Sequence, residues 1–169
     1  MAKVGIVFGC FIPMHTGHLK MIDRSITEND VTILGVCGYD DDRGKDFLSF
    51  QERQDIIRRK TFWCRSIALS VVDDRKIGLT GKFDKESWEL WSNEFFRYAG
   101  ADPYSNNEFT WYTGEQRYID VISQIFPKHK FVLLERDGVS GTAIRENPQE
   151  HLDEIDPDFR RYLIEHNRI

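Results

Sequence analysis

The sequence lacks several features that would place the protein in a special class. Its 169 residues include three widely spaced cysteines, Cys10, Cys37 and Cys64, and no CxxC pair. This pattern argues against a zinc knuckle and a disulfide framework, and it fits a reducing cytoplasm. No run of about twenty apolar residues is present, so we expect no membrane-spanning segment. The apolar N-terminal stretch lacks the small-residue cleavage pattern of a signal peptide.

The chain also has no excess of positive charge. It carries 23 Lys and Arg against 28 Asp and Glu, a formal net charge of −5. This balance argues against nucleic acid or an anionic membrane surface as a partner, although it allows a local basic pocket for a small phosphate. Composition is otherwise ordinary for a globular protein, at 40% hydrophobic and 30% charged residues. The length suggests a single domain.

Short apolar runs alternate with helical patterns along the chain. Five runs predict strands: 4–9, 31–38, 67–74, 109–114 and 130–136. Ser49, followed three residues later by Glu52, is typical of a capped helix start. The alternation predicts an α/β fold with one Rossmann-like, doubly wound parallel sheet and helices on both faces. We assign residues 1–169 to one domain, with 142–169 as its C-terminal helical segment.

Ligands of such sheets bind beyond the carboxyl ends of the strands, where the strand order reverses. The segments that follow the predicted strands are therefore the places to search for a site. Four of them are polar or glycine-rich: GCFIPMHTGH (9–18), GYDDDRG (38–44), TGEQR (113–117) and RDGVSGTAIR (136–145).

Two histidines stand where the first strand runs into the first helix. A helix that begins near Thr16 offers unpaired N–H groups and a positive dipole end to an anion. His15 and His18 can donate hydrogen bonds to phosphate oxygens, and Gly17 lets a bulky ligand approach the backbone. The alternatives are a capped helix whose histidines are satisfied within the protein, and a metal site. No third metal ligand is convincing in the sequence.

A second helix start near the C-terminus also suits an anion. Ser140 and Thr142 are good N-cap residues, so a helix is expected to begin here. Arg145 is then expected in its first turn, where the helix dipole disfavours a cation unless an anion is bound. The alternative is a surface arginine that points into water. Together the two helix starts predict a polyphosphate ligand, most simply a nucleoside triphosphate.

The motifs GxFxPxHxGH and SGTxIREN resemble those of the HxGH nucleotidyltransferase superfamily. More narrowly, the chain resembles the nicotinamide mononucleotide (NMN) adenylyltransferase domain of bifunctional bacterial NAD-synthesis regulators. The likeness covers nearly the whole chain and includes SWELWSN (87–93), YTGEQ (112–116) and IRENP (144–148). No GxxxxGK[ST] motif is present, so we expect a stand-alone domain without the kinase half.

The resemblance implies transfer of the adenylyl group of ATP to NMN, which gives NAD and pyrophosphate. The NMN phosphate would attack in line, without a covalent intermediate. Mg²⁺ is expected to arrive mainly on the ATP phosphates, and no metal ligand is assigned to the protein. The alternatives are a nucleotidyltransferase for another phosphate acceptor and a non-catalytic sensor that binds NAD or ATP. The sequence leaves open a homo-oligomer and the choice between NMN and nicotinate mononucleotide.

The resemblance also implies roles for particular residues. The residues expected to act in catalysis, on the ATP phosphates, are His15, His18 and Arg145. The other residues expected to bind ATP are Gly9, Phe11, Ile12, Pro13, Met14, Gly17, Ser140, Gly141 and Thr142. Those expected to bind NMN are Trp88, Trp91, Asp42, Arg43, Thr113, Gly114 and Glu115.

Three of these expectations have specific alternatives or departures. Trp88, Trp91 and Phe95 recur at helical spacing, as a core stripe does, although the resemblance favours Trp88 as the ring that stacks on nicotinamide. The acidic stretch at 40–43 could equally be a solvated turn. Cys10 stands where related sequences often carry Lys or a small polar residue. A neutral thiol supplies less charge to the transition state, so we expect modest turnover.

Overall fold

A parallel β-sheet forms the centre of the molecule. The computed structural model describes residues 1–38, 44, 46–78, 83–136 and 138–169. Within them the strands are β1 (Lys3–Gly9), β2 (Val31–Cys37), β3 (Ile67–Val72), β4 (Glu108–Thr113) and β5 (Lys130–Leu133). Their order is β3-β2-β1-β4-β5, and every neighbouring pair is parallel. The order reverses at β1, so the crevice for a ligand is expected at the carboxyl ends of β1 and β4.

Helices cover both faces of this sheet, which confirms the predicted Rossmann-like α/β fold. The helices of the described residues are α1 (Thr16–Glu28), α2 (Phe50–Thr61), α3 (Lys85–Ala99), α4 (Gln116–Ile125), α5 (Gly141–Glu146) and α6 (Pro157–Glu165). A 3₁₀ segment, Pro148–Glu154, joins the last two helices and was not predicted. In the described part of the chain, no helix is long and apolar enough to cross a membrane.

The two faces of the sheet have separate hydrophobic cores because successive side chains of a strand point to opposite sides. Val7 and Leu34 point to the face covered by α1, α2 and α6. Ile6 and Ile33 point to the opposite face, where they pack with residues of α3 and α4. The carboxyl edge of the sheet is therefore flanked by a different group of helices on each side.

Two strands, β3 and β5, end two or more residues earlier than the sequence predicted. β3 stops at Val72, which pairs with Cys37, the last residue of β2, so residues 73 and 74 have no strand beside them. β5 stops at Leu133 because β4 ends at Thr113, whose carbonyl accepts the N–H of Leu134 at 2.8 Å. In both cases the two neighbouring strands end at paired residues, and the chain then leaves the sheet at its carboxyl edge.

The predicted capped start of α2 is confirmed, and a glycine ends α3. The Ser49 hydroxyl accepts the N–H of Glu52 at 3.1 Å, and the Glu52 carboxylate accepts the N–H of Ser49 at 2.8 Å. Gly100 ends α3 with a φ of 69°, a left-handed conformation that glycine adopts without strain.

Glu52 also anchors the C-terminus of the chain. Its carboxylate accepts hydrogen bonds from Arg168 at 2.7 Å and from the Tyr162 hydroxyl at 2.9 Å. Arg168 donates in addition to the carbonyl of Phe47 at 2.7 Å. Burial raises the pKa of Glu52, but the bonds from Arg168, from the Ser49 N–H and from Tyr162 outweigh it and lower the pKa to about 2. One carboxylate thus joins the start of α2 to α6 and the final residues.

Replacement of Glu52 by Gln is expected to lower the free energy of unfolding by roughly 1–2 kcal/mol near neutral pH, a figure reduced for solvent screening. The folded pKa of about 2 lies below the ordinary 4.5. The wild-type advantage should therefore be complete above about pH 5 and shrink as the pH falls toward 2. Urea unfolding at several pH values measures it, with Glu150→Gln, an exposed site, as the control. An advantage that does not change with pH would contradict this account.

Candidate active site

A cleft of about 660 Å³ opens at the carboxyl edge of the sheet. Its walls come from the β1–α1 loop, the turn between β4 and α4, the segment that leads into α5, and the N-terminal half of α3. Three of these are segments that the topology rule selected from the sequence. A fourth selected segment, 38–44, lies mostly outside the described residues.

The structure brings most of the predicted site residues together around this cleft. Those that line it are Gly9, Phe11, Ile12, Pro13, His15, Gly17, His18, Trp88, Trp91, Thr113, Gly114, Glu115, Ser140, Gly141, Thr142 and Arg145. Met14 does not line it, because its side chain is fully buried in the core and its carbonyl accepts the N–H of Asp156 at 3.0 Å. The predicted residues Asp42 and Arg43 lie outside the described residues.

The two histidines cap α1 and stack on each other. His15 is the N-cap residue, and its Nδ1 accepts the N–H of Gly17 at 3.2 Å. The N–H of His15 donates to Nδ1 of His18 at 3.2 Å, and the ring centroids are 3.8 Å apart. Both Nδ1 atoms are acceptors, so each neutral ring carries its proton on Nε2. Capping and ligand binding are therefore compatible. The caps use Nδ1 of each ring, and the N–H at Nε2 is available to donate to a phosphate oxygen.

His18 is held in its neutral form. Burial, then the nearby His15 and Arg136, lower the pKa of His18 well below its ordinary value. Phe11 packs edge-on against the ring with centroids 4.9 Å apart, which contributes to that burial. At neutral pH His18 is consequently a hydrogen-bond donor through Nε2 and does not add a positive charge to the cleft.

The start of α5 is fastened to the β1–α1 loop by Arg145. The hydroxyl of Ser140 caps this six-residue helix, so the prediction that Arg145 lies in the first turn is wrong, and it lies in the last. Its guanidinium nevertheless donates to the carbonyl of Ile12 at 2.6 Å and to the Thr142 hydroxyl at 3.3 Å. A Cβ on Gly141 would lie 3.0 Å from the Ile12 carbonyl oxygen, so a larger residue would push the two segments apart.

Arg53 is a structural component of the site that the sequence analysis missed. This fully buried side chain donates to the carbonyls of Cys10 at 2.7 Å and Cys37 at 3.0 Å. It thus ties the carboxyl ends of β1 and β2 to α2. The sequence contained a signal for this role. Arg53 shares the apolar face of α2 with Phe50 and Ile57, and a charged residue on a buried face is rare unless it has a specific partner.

The two tryptophans of the SWELWSN segment have different environments. Trp91 is only 4% exposed and stacks on Phe95 with centroids 5.0 Å apart. Trp91 is therefore a core residue, which is the alternative that its helical spacing to Phe95 left open. Trp88 is half-buried and lines the cleft more openly, one turn earlier on α3. The geometry therefore favours Trp88 over Trp91 as a surface for a ligand ring.

Trp88 belongs to a group of aromatic residues that we call the aromatic corner: Phe8, Phe83, Trp88 and Tyr118. The centroid of Trp88 is 5.4 Å from those of Phe83 and Tyr118 and 5.9 Å from that of Phe8. Phe8, Trp88 and Tyr118 pack against the core on the α3–α4 face of the sheet. His18 and Arg145 belong to the opposite side of the cleft, with α1 and α5. The cleft therefore has a polar end and an aromatic end.

Further charged residues line the cleft that the sequence analysis did not select: Lys20, Asp74, Arg117, Glu135 and Arg136. Arg117 and Arg136 both donate to the carboxylate of Glu115. Arg117 also lies over the ring of Phe83, 4.8 Å from its centroid. Glu115, predicted to bind NMN, thus orients two arginines at the mouth of the cleft, and its contact with a ligand stays a prediction.

Comparisons with known proteins identify a family and several relatives. The sequence model of the cytidylyltransferase-like family matches residues 6–147. The trifunctional NAD biosynthesis/regulator proteins NadR of Salmonella typhimurium and Escherichia coli are 27% and 25% identical. The alignments cover 96% and 95% of this chain but 41% and 40% of those proteins. The chain therefore spans less than half the length of these relatives.

Solved structures show the same relationship. The structure of NadR in complex with NAD and AMP-PNP has a TM-score of 0.75 and 30% identity, and the match covers 96% of this chain and 47% of that one. A bifunctional NMN adenylyltransferase/ADP ribose pyrophosphatase from Francisella tularensis has a TM-score of 0.72 over 98% of this chain and 50% of that chain. At 17% identity, this match is evidence for a shared fold and for nothing beyond the fold.

NMR titration of the histidines tests the electrostatics of this cleft. We expect the pKa of His18 to lie well below 6.5, with the Nε2–H tautomer at neutral pH. Arg136→Gln should raise that pKa, because the arginine charge disfavours a second positive charge. Arg97→Gln, which removes an exposed arginine paired with Glu94 on α3, is the matched control and should leave the pKa unchanged. A His18 that titrates normally would contradict the account.

Proposed function

The chain belongs to the cytidylyltransferase-like family, and from that premise we propose that it transfers the adenylyl group of ATP to NMN, giving NAD and pyrophosphate. One observation carries the proposal. A single cleft joins a polar end, made by His18 and the Ser140–Arg145 segment, to an aromatic end at Trp88. A triphosphate suits the first end and a pyridinium ring suits the second.

The size of the cleft and the named relatives support this choice of ligands. Its volume of about 660 Å³ falls within the roughly 300–1,000 Å³ of typical small-molecule sites. Relatives about a quarter identical are named as NAD biosynthesis proteins. Solved structures that are 30% identical are complexes with NR and with NAD and AMP-PNP.

At the polar end, hydrogen-bond donors would hold the triphosphate of ATP. The N-terminus of α1 contributes backbone N–H groups and the positive end of its dipole. His18 would donate through Nε2, and Arg145 would contribute the fork of a guanidinium. Lys20 and Arg136 also line the cleft and add positive charge, which compensates for the neutral thiol at Cys10.

The reaction needs positioning more than proton transfer. A phosphate oxygen of NMN, already an anion at neutral pH, attacks the α-phosphorus of ATP. The bond from that phosphorus to the bridging oxygen breaks, and pyrophosphate leaves with the electron pair. His18 and Arg145 would stabilise the charge that develops on the leaving group, and the cleft would align the attacking oxygen.

Mg²⁺ is proposed to accompany ATP and to neutralise part of the phosphate charge. Among the described residues, no group of three or more His, Cys, Asp or Glu side chains could hold a metal ion. We propose that phosphate oxygens and water bind the ion, since Mg²⁺ often keeps several waters and is held through substrate phosphates.

Turnover of ATP and NMN tests the proposal directly. Purified protein with Mg²⁺ should produce NAD and pyrophosphate in equal amounts. His18→Ala should lower kcat/KM by about 10²–10³-fold, as the loss of one transition-state hydrogen bond typically does. His166→Ala removes an exposed histidine at the end of α6 and is the matched control.

The remaining outcomes separate the alternatives. No dinucleotide from NMN, but product from another phosphate acceptor, would assign a different nucleotidyl transfer. Binding of ATP or NAD without pyrophosphate release would point to a sensor. Full activity of His18→Ala would show that His18 is not a catalytic residue.

Trp88→Ala tests the aromatic end of the cleft. We expect KM for NMN to rise about tenfold while KM for ATP changes little, because a cation–π contact with the pyridinium ring is lost. Trp63→Ala removes a tryptophan that is 87% exposed and lies outside the cleft, so it serves as the control. Equal increases in both KM values would indicate a general disturbance of the fold.

A further inference from the structure

Cys10 and Cys37 stand side by side at the carboxyl edge of the sheet. The register of β1 with β2 pairs Gly9 with Val36, and the residue after each of them is a cysteine. Continuation of this register places Cys10 next to Cys37, and residues that pair across parallel strands point to the same face. Both cysteines also line the cleft. The fold thus brings together two thiols that the sequence separates widely.

Arg53 holds the backbones of the two cysteines beside each other. A single nitrogen, Nη1, donates to the carbonyl of Cys10 at 2.7 Å and to that of Cys37 at 3.0 Å. Neighbouring strands lie about 4.7–4.9 Å apart. A disulfide usually joins residues whose Cα atoms are about 4.4–6.8 Å apart. The spacing at this edge is therefore compatible with a bond between the two side chains.

The two thiols differ in their access to solvent. Cys10 is exposed, whereas Cys37 is only 7% exposed. The backbone of Gly9, the residue before Cys10, hydrogen-bonds the Cys37 thiol, so this side chain is directed toward β1. A reagent that enters the cleft therefore reaches Cys10 first, and Cys37 lies behind it on the next strand.

The third cysteine of the chain has none of these features. Cys64 lies between α2 and β3, at the amino edge of the sheet. Its sulfur is 3.3 Å from the Ser66 hydroxyl, and it is not among the residues that line the cleft. Cys64 is therefore a suitable internal reference for the chemistry of the other two.

We propose that Cys10 and Cys37 form a thiol-modification site, which a low-molecular-weight disulfide of the glutathione type oxidises to an intramolecular disulfide. First, deprotonated Cys10 attacks one sulfur of glutathione disulfide, the S–S bond breaks, and one glutathione thiolate leaves with the electron pair. Deprotonated Cys37 then attacks the Cys10 sulfur, and the second glutathione thiolate leaves. The two cysteines are oxidised, glutathione disulfide is reduced to two thiols, and the cysteine protons pass to them through water.

Electrostatics favour this order of the two steps. Burial, then Cys10 and Asp74, raise the pKa of the Cys37 thiol well above its ordinary value. Cys37 is therefore a poor first nucleophile, because the thiolate is the attacking species. Once Cys10 is part of a mixed disulfide it carries no charge, so one cause of the raised pKa is removed. The second step is expected to accelerate as the pH rises.

The disulfide would also disturb the polar end of the cleft, a consequence that rests on the proposed function. It brings the two sulfurs to about 2.05 Å, well inside the separation of unbonded thiols. Cys10 opens the β1–α1 loop, which leads to His15 and His18 at the start of α1. A displacement of about 1 Å can cost about 100-fold in rate. We therefore expect the oxidised form to be less active and reduction to restore it.

Mass spectrometry tests the site without any measurement of activity. The full chain is incubated with glutathione disulfide, and its peptides are mapped without reduction. Wild type should lose two hydrogen atoms and yield a linked Cys10–Cys37 peptide. Cys37→Ser should instead retain one glutathione on Cys10, and Cys10→Ser should slow oxidation of Cys37 at least about tenfold. Cys64→Ser, the matched control, should form the same linked peptide as wild type.

Three results would overturn the inference. They are a glutathione adduct that persists on Cys10 of wild type, oxidation of Cys37 at an unchanged rate in Cys10→Ser, and no reaction of either thiol.

Turnover of ATP and NMN then tests the consequence for the cleft. Oxidised wild type should have a kcat/KM at least about tenfold below that of the reduced form, with recovery after dithiothreitol. Cys10→Ser should keep its own reduced-state activity after the same treatment. Equal activity of oxidised and reduced wild type would contradict the effect on the cleft. If reduced wild type makes no NAD, the proposed function fails, and the mass spectra alone decide about the thiol site.

Discussion

The hydrogen bonds of one buried arginine are the constraint on which the cleft depends. At the carboxyl edge of a parallel sheet, the last carbonyls need donors, because no further strand residue supplies them. Arg53 provides that donor for Cys10 and Cys37 at once, from within α2. The chain therefore leaves β1 in a fixed direction, and the loop that follows delivers His15 to the start of α1. The start of α1, with His15 and His18, depends on this exit direction.

The polar end combines rigidity with binding capacity. His15 and His18 close the first turn of α1 through their Nδ1 atoms, and their stacked rings limit each other's rotation. Burial keeps His18 neutral, so the positive charge comes from arginine and lysine side chains. Arg145 then joins the β1–α1 loop to α5 through Ile12. Because these residues hold each other in place, a triphosphate would meet donors that are already oriented, which lowers the cost of binding.

The sequence predicted the fold and the position of the cleft, because both follow from local patterns. Alternating apolar runs and helical spacing identify strands and helices, and the topology rule then selects the carboxyl edge. The errors come from contacts between distant parts of the chain. The carbonyl of Met14 accepts the N–H of Asp156. Arg145 lies in the last turn of a very short helix and donates to the carbonyl of Ile12. Residue 74 was predicted to lie in a strand, but β3 ends at Val72, level with the end of β2 at Cys37. Such contacts can be predicted only when it is known which distant segments of the chain lie side by side.

The central claim is that one cleft holds a triphosphate at its polar end and a nicotinamide ring at its aromatic end. A crystal structure with NMN and the ATP analogue AMP-PNP tests it most directly. We expect the triphosphate between His18 and Arg145, and the pyridinium ring against Trp88. A triphosphate bound away from the start of α1, or a ring at the α5 side of the cleft, would contradict it.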